Sequence, residues 1–419
     1  MNFRQYLADT LLIILIICLT HSQIMAFDIS QELLYECSYI LNQDKFSNSL
    51  TFNIDYFHEV TNDIFLEGDL VIRASNAQYG NSFVIGPNEI YLSAYNIIDN
   101  LDLKAGKIIS RWGAADLFSP LDNFNPAPPG ITFIKNQDKL GLLGINASYY
   151  ISDLTLLQAV LVPQLGVTPY PDQYLKDTYL ATYGPIYQAQ GYTIHNVDLS
   201  YNVPENLIWG LRLNHSFSSF DAGIIYYKGY YRDPFLADLK LIAEPNNGTS
   251  IKINLGYPAK QVVGLEFQGE FPGIEGATLR GDLAYIIPEQ WSFQGKNTLD
   301  SPYLKAIISA DYTTDSNLYL NGGFIYGMTF ERGDDCSPYL YLNANKELEK
   351  SDLEPFYVGI LSLDDMSMGN IVGIDYQISE SVSTSLSYLF LMVNSKSSGS
   401  NLGILENSEG FYFSIKWLF

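Results

Sequence analysis

Apolar and polar residues alternate along this chain in segments of about ten residues, and no apolar run reaches the roughly twenty residues of a spanning helix. The closing stretch shows the pattern. Phe411, Phe413, Ile415, Trp417 and Phe419 share one face of an extended chain, and Tyr412, Ser414, Lys416 and Leu418 share the other. In 49–56, Leu50, Phe52, Ile54 and Tyr56 oppose Ser49, Thr51, Asn53 and Asp55. In 276–287, Leu279, Leu283 and Tyr285 oppose Thr278, Arg280 and Asp282. In 303–312, Leu304, Ala306, Ile308 and Ala310 oppose Tyr303, Lys305, Ser309 and Asp311. In 381–392, Leu386, Tyr388, Phe390 and Met392 oppose Ser381, Ser383, Ser385 and Ser387. About ten residues is the reach of a tilted strand across a bilayer, whereas soluble strands average about five or six.

Composition points the same way. Charged residues make up 16% of the chain, against roughly 25% in soluble domains, and 32 Tyr and 23 Phe favour strands. Residues 1–26 read as a secretory signal, with Arg4, an apolar run from Leu11 to Leu19, and Ala26 before the expected cut. Residues 27–419 then form one domain. Segments near 31–41, 49–57, 62–73, 89–97, 101–110, 139–150, 154–162, 206–216, 220–229, 259–270, 276–287, 302–313, 317–329, 338–345, 354–363, 368–378, 381–392 and 410–419 read as strands. Short turns alternate with long connections at 111–138, 163–205, 230–257, 288–301 and 393–409. No helical, repeated or low-complexity segment is apparent between them. The expected fold is all-β: a transmembrane antiparallel β-barrel of about eighteen strands, or sixteen if the first segment and 338–345 are not strands. Short turns would face the periplasm and long loops the exterior. A secreted β-sandwich or propeller is the soluble alternative, and strand length and loop asymmetry weigh against it.

Residues 101–130, "LDLKAGKIISRWGAADLFSPLDNFNPAPPG", pass from a strand into a loop dense in Trp, Asp, Asn and Pro. Pro120, Pro126, Pro128 and Pro129 stiffen it, and Asp116, Asp122 and Asn125 can cap its turns. "GKIISRWG" (106–113) and the Asp/Pro/Asn run after it resemble the alginate-export-like porins and their uncharacterised outer-membrane relatives. The stretches 157–171 and 257–286, the latter with a Tyr-Pro strand and an Arg-Gly-acidic-x-Ala-Tyr strand, are similar to the same group. Ile108 stands where relatives often have Gln. The terminal aromatics Phe411, Phe413, Trp417 and Phe419 resemble the signal read by the β-barrel assembly machinery. The resemblance implies a channel for organic solutes in the outer membrane, with lipid and the assembly machinery as partners.

Two readings of the loop follow. In one it folds into the lumen, where Arg111, Trp112, Asp116, Asp122 and Asn125 form a constriction whose opposed charges orient solutes. In the other, Arg111 and the two Asp residues pin the loop to the wall and Trp112 packs at the membrane interface. By parity Lys104, Arg280, Asp282, Lys305 and Asp311 face a water-filled lumen. Lys107 breaks parity and calls for a bulge or the membrane edge near Gly106.

The net charge of −23 argues against nucleic acid. With 23 Lys and Arg against 46 acids, the chain lacks the basic surplus a polyanion conduit would want, so cationic or neutral small polar solutes are favoured. An enzyme is the weaker reading: beyond the signal only His58, His195 and His215 are available, with no nucleophile motif and no metal-spaced His pair. No catalytic residue, metal or cofactor is expected. A surface adhesin or a structural barrel with a loop-sealed lumen is the main alternative. Cys37 and Cys336 are too few for a disulfide framework, and their pairing is open.

Overall fold

Alternating segments become strands because each can place its apolar side chains outward while its backbone pairs with neighbours. The computed structural model describes residues 28–77, 80–127, 139–243, 248–348, 351–394, 402 and 408–419; the signal at 1–26 lies outside them, as do Pro128 and Pro129. In chain order the strands are β1 (Asp28–Ile40), β2 (Lys45–Thr61), β3 (Ile64–Ala77), β4 (Gly80–Ile98), β5 (Leu101–Ile108), β6 (Leu142–Ser152) and β7 (Thr155–Val162). Helix α1 (Asp172–Ala189) precedes β8 (Ile194–Asn202), β9 (Ile208–Ser216), β10 (Phe220–Tyr230), β11 (Phe235–Ala243) and β12 (Thr249–Gly256). Next come β13 (Ala259–Glu270), β14 (Ala277–Pro288), β15 (Trp291–Phe293), β16 (Lys296–Leu299), β17 (Tyr303–Thr313) and β18 (Leu318–Tyr326). The last are β19 (Pro338–Lys346), β20 (Leu353–Ser362), β21 (Met368–Ser379), β22 (Val382–Met392) and β23 (Gly410–Leu418).

All but β8, β11, β12, β15 and β16 form one 18-stranded antiparallel sheet. β23 returns to β1, from Glu32↔Leu418 to Ile40↔Gly410, and closes it. Closure matters because lipid offers no partner to an unpaired strand edge. Both segments in question, β1 and β19, are strands of this barrel, which rules out sixteen. Boundaries differ by a few residues, most at β4, which begins at Gly80 rather than near 89.

Outward positions are apolar and bare: Leu143 is 67% exposed, Ile224 58%, and Leu283, Leu304, Ile308, Leu342 and Leu386 are exposed likewise. Such a belt is stable only against lipid. Aromatic pairs flank it. Trp209 and Tyr226 (5.2 Å), and Tyr388 and Phe411 (4.8 Å), sit toward one end. Phe217 and Phe220 (4.6 Å), and Trp417 and Phe419 (4.7 Å), sit at the other. The turns β2–β3, β4–β5, β6–β7, β9–β10, β13–β14, β17–β18 and β21–β22 lie at this second, turn end; the long connections lie at the opposite, loop end, together with the short links β1–β2 (41–44) and β20–β21 (363–367).

The loop end carries a cap that the sequence reading lacks. β12 pairs antiparallel with β11 and parallel with β8. α1 covers the resulting three-stranded sheet, with Leu175, Val197, Ile251, Ile253 and Leu255 buried between them. The expectation of no helix is therefore corrected. Tyr170, Tyr174, Tyr179, Tyr183 and Tyr187 pack on that core, at near-helical spacing, while Gly184 and Pro185 inside the helix mask the signal. Cys37 and Cys336 are free thiols.

Leu283→Arg places a charge midway along the lipid face of β14. It is expected to destabilise the barrel by about 2–4 kcal/mol, checked by equilibrium unfolding in lipid vesicles. A neutral effect would contradict the assigned outer face.

Candidate functional site

After β5 the chain turns inward, because its polar backbone is met by side chains of the inner wall. Asn125, buried, fixes both ends of the loop: its Oδ1 accepts from Ser110 N (2.8 Å), and its Nδ2 donates to Ile108 O and Leu140 O (2.9 Å each). Glu266 on β13 accepts from Gly113 N (3.0 Å). Asp282 on β14 accepts from Ala114 N (2.8 Å) and Ala115 N (3.1 Å). Asp116 accepts from Arg280 and from Asn321 Nδ2 (2.9 Å), and Arg280 also pairs with Asp311 (3.5 Å). Residues 109–127 thus lie inside the barrel, tied to β13, β14, β17 and β18.

Apolar side chains seal the loop to that wall. Trp112 stands edge-on to Phe124 (4.8 Å), and Phe124 edge-on to Tyr227 (5.2 Å). Together with Leu121 they are buried among Val160, Ile208 and Ile225. Trp112 therefore packs in the lumen, not at the membrane interface. At the loop's far side Ala115, Leu117 and Phe118 pack on inward residues of β17 to β22, including Ile307 and Ile360. Two glycines make this approach possible. A Cβ on Gly264 would lie 2.1 Å from Leu121 Cδ2. One on Gly113 would lie 1.9 Å from Ser119 Oγ and 2.6 Å from Asp282 Oδ2, and Gly113 holds φ +107°.

The charges divide differently from the expected constriction. Asp122 pairs with Lys139 (2.7 Å), not Arg111. Burial lowers the Lys139 ammonium to about 8, and Asp122 opposes that shift. Arg111 is exposed and has no ion-pair partner among the described residues, so it does not pin the loop. It faces a cavity of about 330 Å³ shared with Glu89, Tyr91, Lys104 and Asn146. Lys104 lies over the Tyr91 ring at 4.9 Å. Lys305, buried, donates to Met328 O (2.5 Å). Arg280, Asp282 and Asp311 also point inward, but they hold the loop rather than line plain water. Lys107 sits at the loop-end edge of β5, where its Nζ donates to Pro87 O (2.5 Å), and pairing runs unbroken through Gly106.

The wall facing Arg111 is acidic. Strand register puts Glu32, Glu36, Asp55, Glu67 and Asp69 on the same side as Glu89 and Tyr91. Glu67 accepts from Ser93 Oγ (2.6 Å) and Tyr91 OH (3.1 Å), and Glu89 from Ile109 N (2.6 Å). Lys416 pairs with Glu32 (3.4 Å), and Arg73 donates to Thr51 (2.9 Å). The lumen is thus filled toward β7–β22, where apolar clusters pack around the bonded polar groups of Arg212, Glu266, Arg280 and Asp282, and polar toward β1–β5.

Several key residues escaped sequence reasoning: Glu266, Arg212, Asn321 and Lys139. Arg212 pairs with Glu266 at 2.6 Å. In β13 the inner row Val262, Gly264, Glu266 and Gln268 opposes Val263, Leu265 and Phe267, so parity would have marked Glu266. Its partner, 153 residues away at Gly113, has no local signature.

Three solved structures share this architecture. Pseudomonas aeruginosa OpdL superposes with TM-score 0.53 at 9% identity, over 94% of this chain and 98% of that one. OccK11 (OpdR) of the same organism gives 0.52 at 9%, over 94% and 95%. OccK2 (OpdF), solved in complex with glucuronate, gives 0.51 at 10%, over 94% and 97%. The fold is that of bacterial outer-membrane porins. No protein-family model matches the sequence, and no curated protein matches it either.

Gly113→Ala pushes Ser119 and Asp282 away and strains the backbone. It is expected to cost about 1–3 kcal/mol and to open 109–127 to limited proteolysis, with the barrel's heat-modifiable gel mobility unchanged. An unaltered proteolytic pattern would contradict the described packing.

Proposed function

We propose that this chain is an outer-membrane channel that passes small hydrophilic solutes by diffusion, with 109–127 as its constriction loop. One observation carries the reading: the cavity where Arg111 and Lys104, without an ion-pair partner among the described residues, face Glu89 beside the acidic wall of β1–β4. A loop that merely plugged the barrel would leave no such charged gap. Opposed charges across a narrow passage orient dipolar solutes. Six wall carboxylates against Lys104, Arg111, Arg73 and Lys416 favour cationic and neutral solutes over anions. Glucuronate, held by OccK2, is an anion and suits this wall poorly.

Membership of the alginate-export-like group rests on the sequence motifs, since the similar structures carry other names. An acidic passage also fits a polyanion poorly. Phe411, Phe413 and Trp417 lie on the outer face of the closing strand β23, and Phe419, just past its end, stacks on Trp417. There they would serve as the signal for the assembly machinery. The reading involves no enzymatic step. His215, one of the three His residues beyond residues 1–26, shares a hydrogen bond with Thr155 Oγ1 (2.8 Å) at the turn end. The loop-end cap favours one second reading, a barrel sealed for adhesion.

Single-channel recording in a planar bilayer under a salt gradient tests the proposal. Stepwise openings with a cation-leaning reversal potential are expected. Arg111→Ala should move that potential further toward cations and leave the fold intact. A folded protein that never conducts would overturn the channel and support the sealed barrel.

A further inference from the structure

A second pocket plays no part in the passage just described. It lies between loop residues 118–123 and the loop-end rim of β10, β13 and β17, encloses about 60 Å³, and is lined by Arg232, Lys260, Lys305, Arg332, Ser119 and Thr329 among others. Its charges do not balance. Asp233 is taken by Arg332, by Thr168 Oγ1 (2.8 Å) and by Tyr170 OH (3.3 Å). Burial works to raise the Asp233 carboxyl, but Arg332 and its other donors hold it below the usual range. Asp122 is taken by Lys139 (2.7 Å). Glu331, near Lys305, accepts from Met328 N (2.8 Å), Ser337 N (3.1 Å) and Tyr339 OH. Against these three carboxylates stand five cations: Lys139, Arg232, Lys260, Lys305 and Arg332.

Among the described residues, three of those cations meet only neutral acceptors. Arg232 donates to Asn125 O and to Asp122 O (3.2 Å). Lys260 donates to Asn123 Oδ1 (2.7 Å) and lies over the Tyr231 ring (4.8 Å). Lys305, 6% exposed, donates to the carbonyls of Met328 (2.5 Å) and Thr329 (3.5 Å). Arg332 Nε is buried without a partner. An ammonium has three donors, so Lys260 retains donors beyond its one bond to Asn123. Sequestered positive charge without a counter-ion is costly, and here it surrounds a space of one small ion.

We propose that this pocket binds one compact, multiply charged oxyanion of the phosphate class. With all five basic groups protonated the excess is two positive charges, which matches a dianion, and donors from β13, β17 and three loops converge on it. Because Ser119 and Asn123 belong to 109–127, a bound oxyanion would clamp that loop to the wall. The clamp's effect on conduction rests on the channel reading; the binding does not.

Equilibrium dialysis of the detergent-folded full chain against radiolabelled inorganic phosphate tests the site, with thermal unfolding in parallel. One saturable site per chain is expected, competed by sulfate, with a rise in the unfolding midpoint. Lys260→Met and Lys305→Met should each weaken binding about tenfold or more, the loss of one charge-assisted hydrogen bond. Lys228→Met, on an exposed side chain outside the pocket, should bind as the parent does. No saturable binding by the parent protein, or equal binding by all three variants, would overturn the site. Should Lys260→Met fail to fold, Lys305→Met decides. Conductance of the same preparations separates the two proposals: a protein that conducts without binding phosphate keeps the channel and loses this pocket.

Discussion

The hydrogen-bond ladder between β1 and β23 is the contact on which the rest of this structure depends. A sheet in lipid has no water to satisfy its edges. Once β23 pairs with β1, every barrel strand has a neighbour on each side, and the apolar side chains can all face outward. The inner surface is then released from the need to be apolar. It can carry carboxylates on β1–β4, cations on β13 and β17, and glycines where a loop must come close.

That freedom is used unevenly. Toward β7–β22 the inner wall carries apolar clusters between its bonded charges, and Trp112, Leu121 and Phe124 complete a core there. An apolar-out, polar-in rule therefore fails for part of this side, because stretches of several strands are apolar on both faces. Toward β1–β5 the inner wall stays polar, and the carboxylates of Glu67 and Glu89 are bonded to side-chain hydroxyls and backbone amides. One loop thus divides the lumen into a packed half and a wet half. The same loop separates two opposite electrostatic surroundings, an acidic passage on one side and a cationic pocket on the other.

The loop is held by hydrogen bonds to its backbone more than by ion pairs between its own side chains. Asp282, Glu266 and Asn125 each accept from main-chain N–H groups. This matters for what the loop can present to a solute. Arg111, free of structural duty, is left to set the field. Asp116 and Asp122, committed to Arg280 and Lys139, contribute much less.

The alternation of side chains determined the barrel strands and their faces, with the count at eighteen or sixteen, because a period of two is a local property of an extended chain; closure of the sheet decided for eighteen. It also placed Lys104, Arg280, Asp282, Lys305 and Asp311 on the inner face. The α1 cap was legible only in part, since its tyrosine stripe is interrupted by Gly184 and Pro185. What Asp122 pairs with, where Trp112 packs, and which side of the lumen the loop leaves clear were decided by tertiary structure alone. Those contacts join residues far apart in the chain, Gly113 to Glu266 and Asp116 to Asn321. They exist only because barrel closure fixes which strands face one another across the lumen.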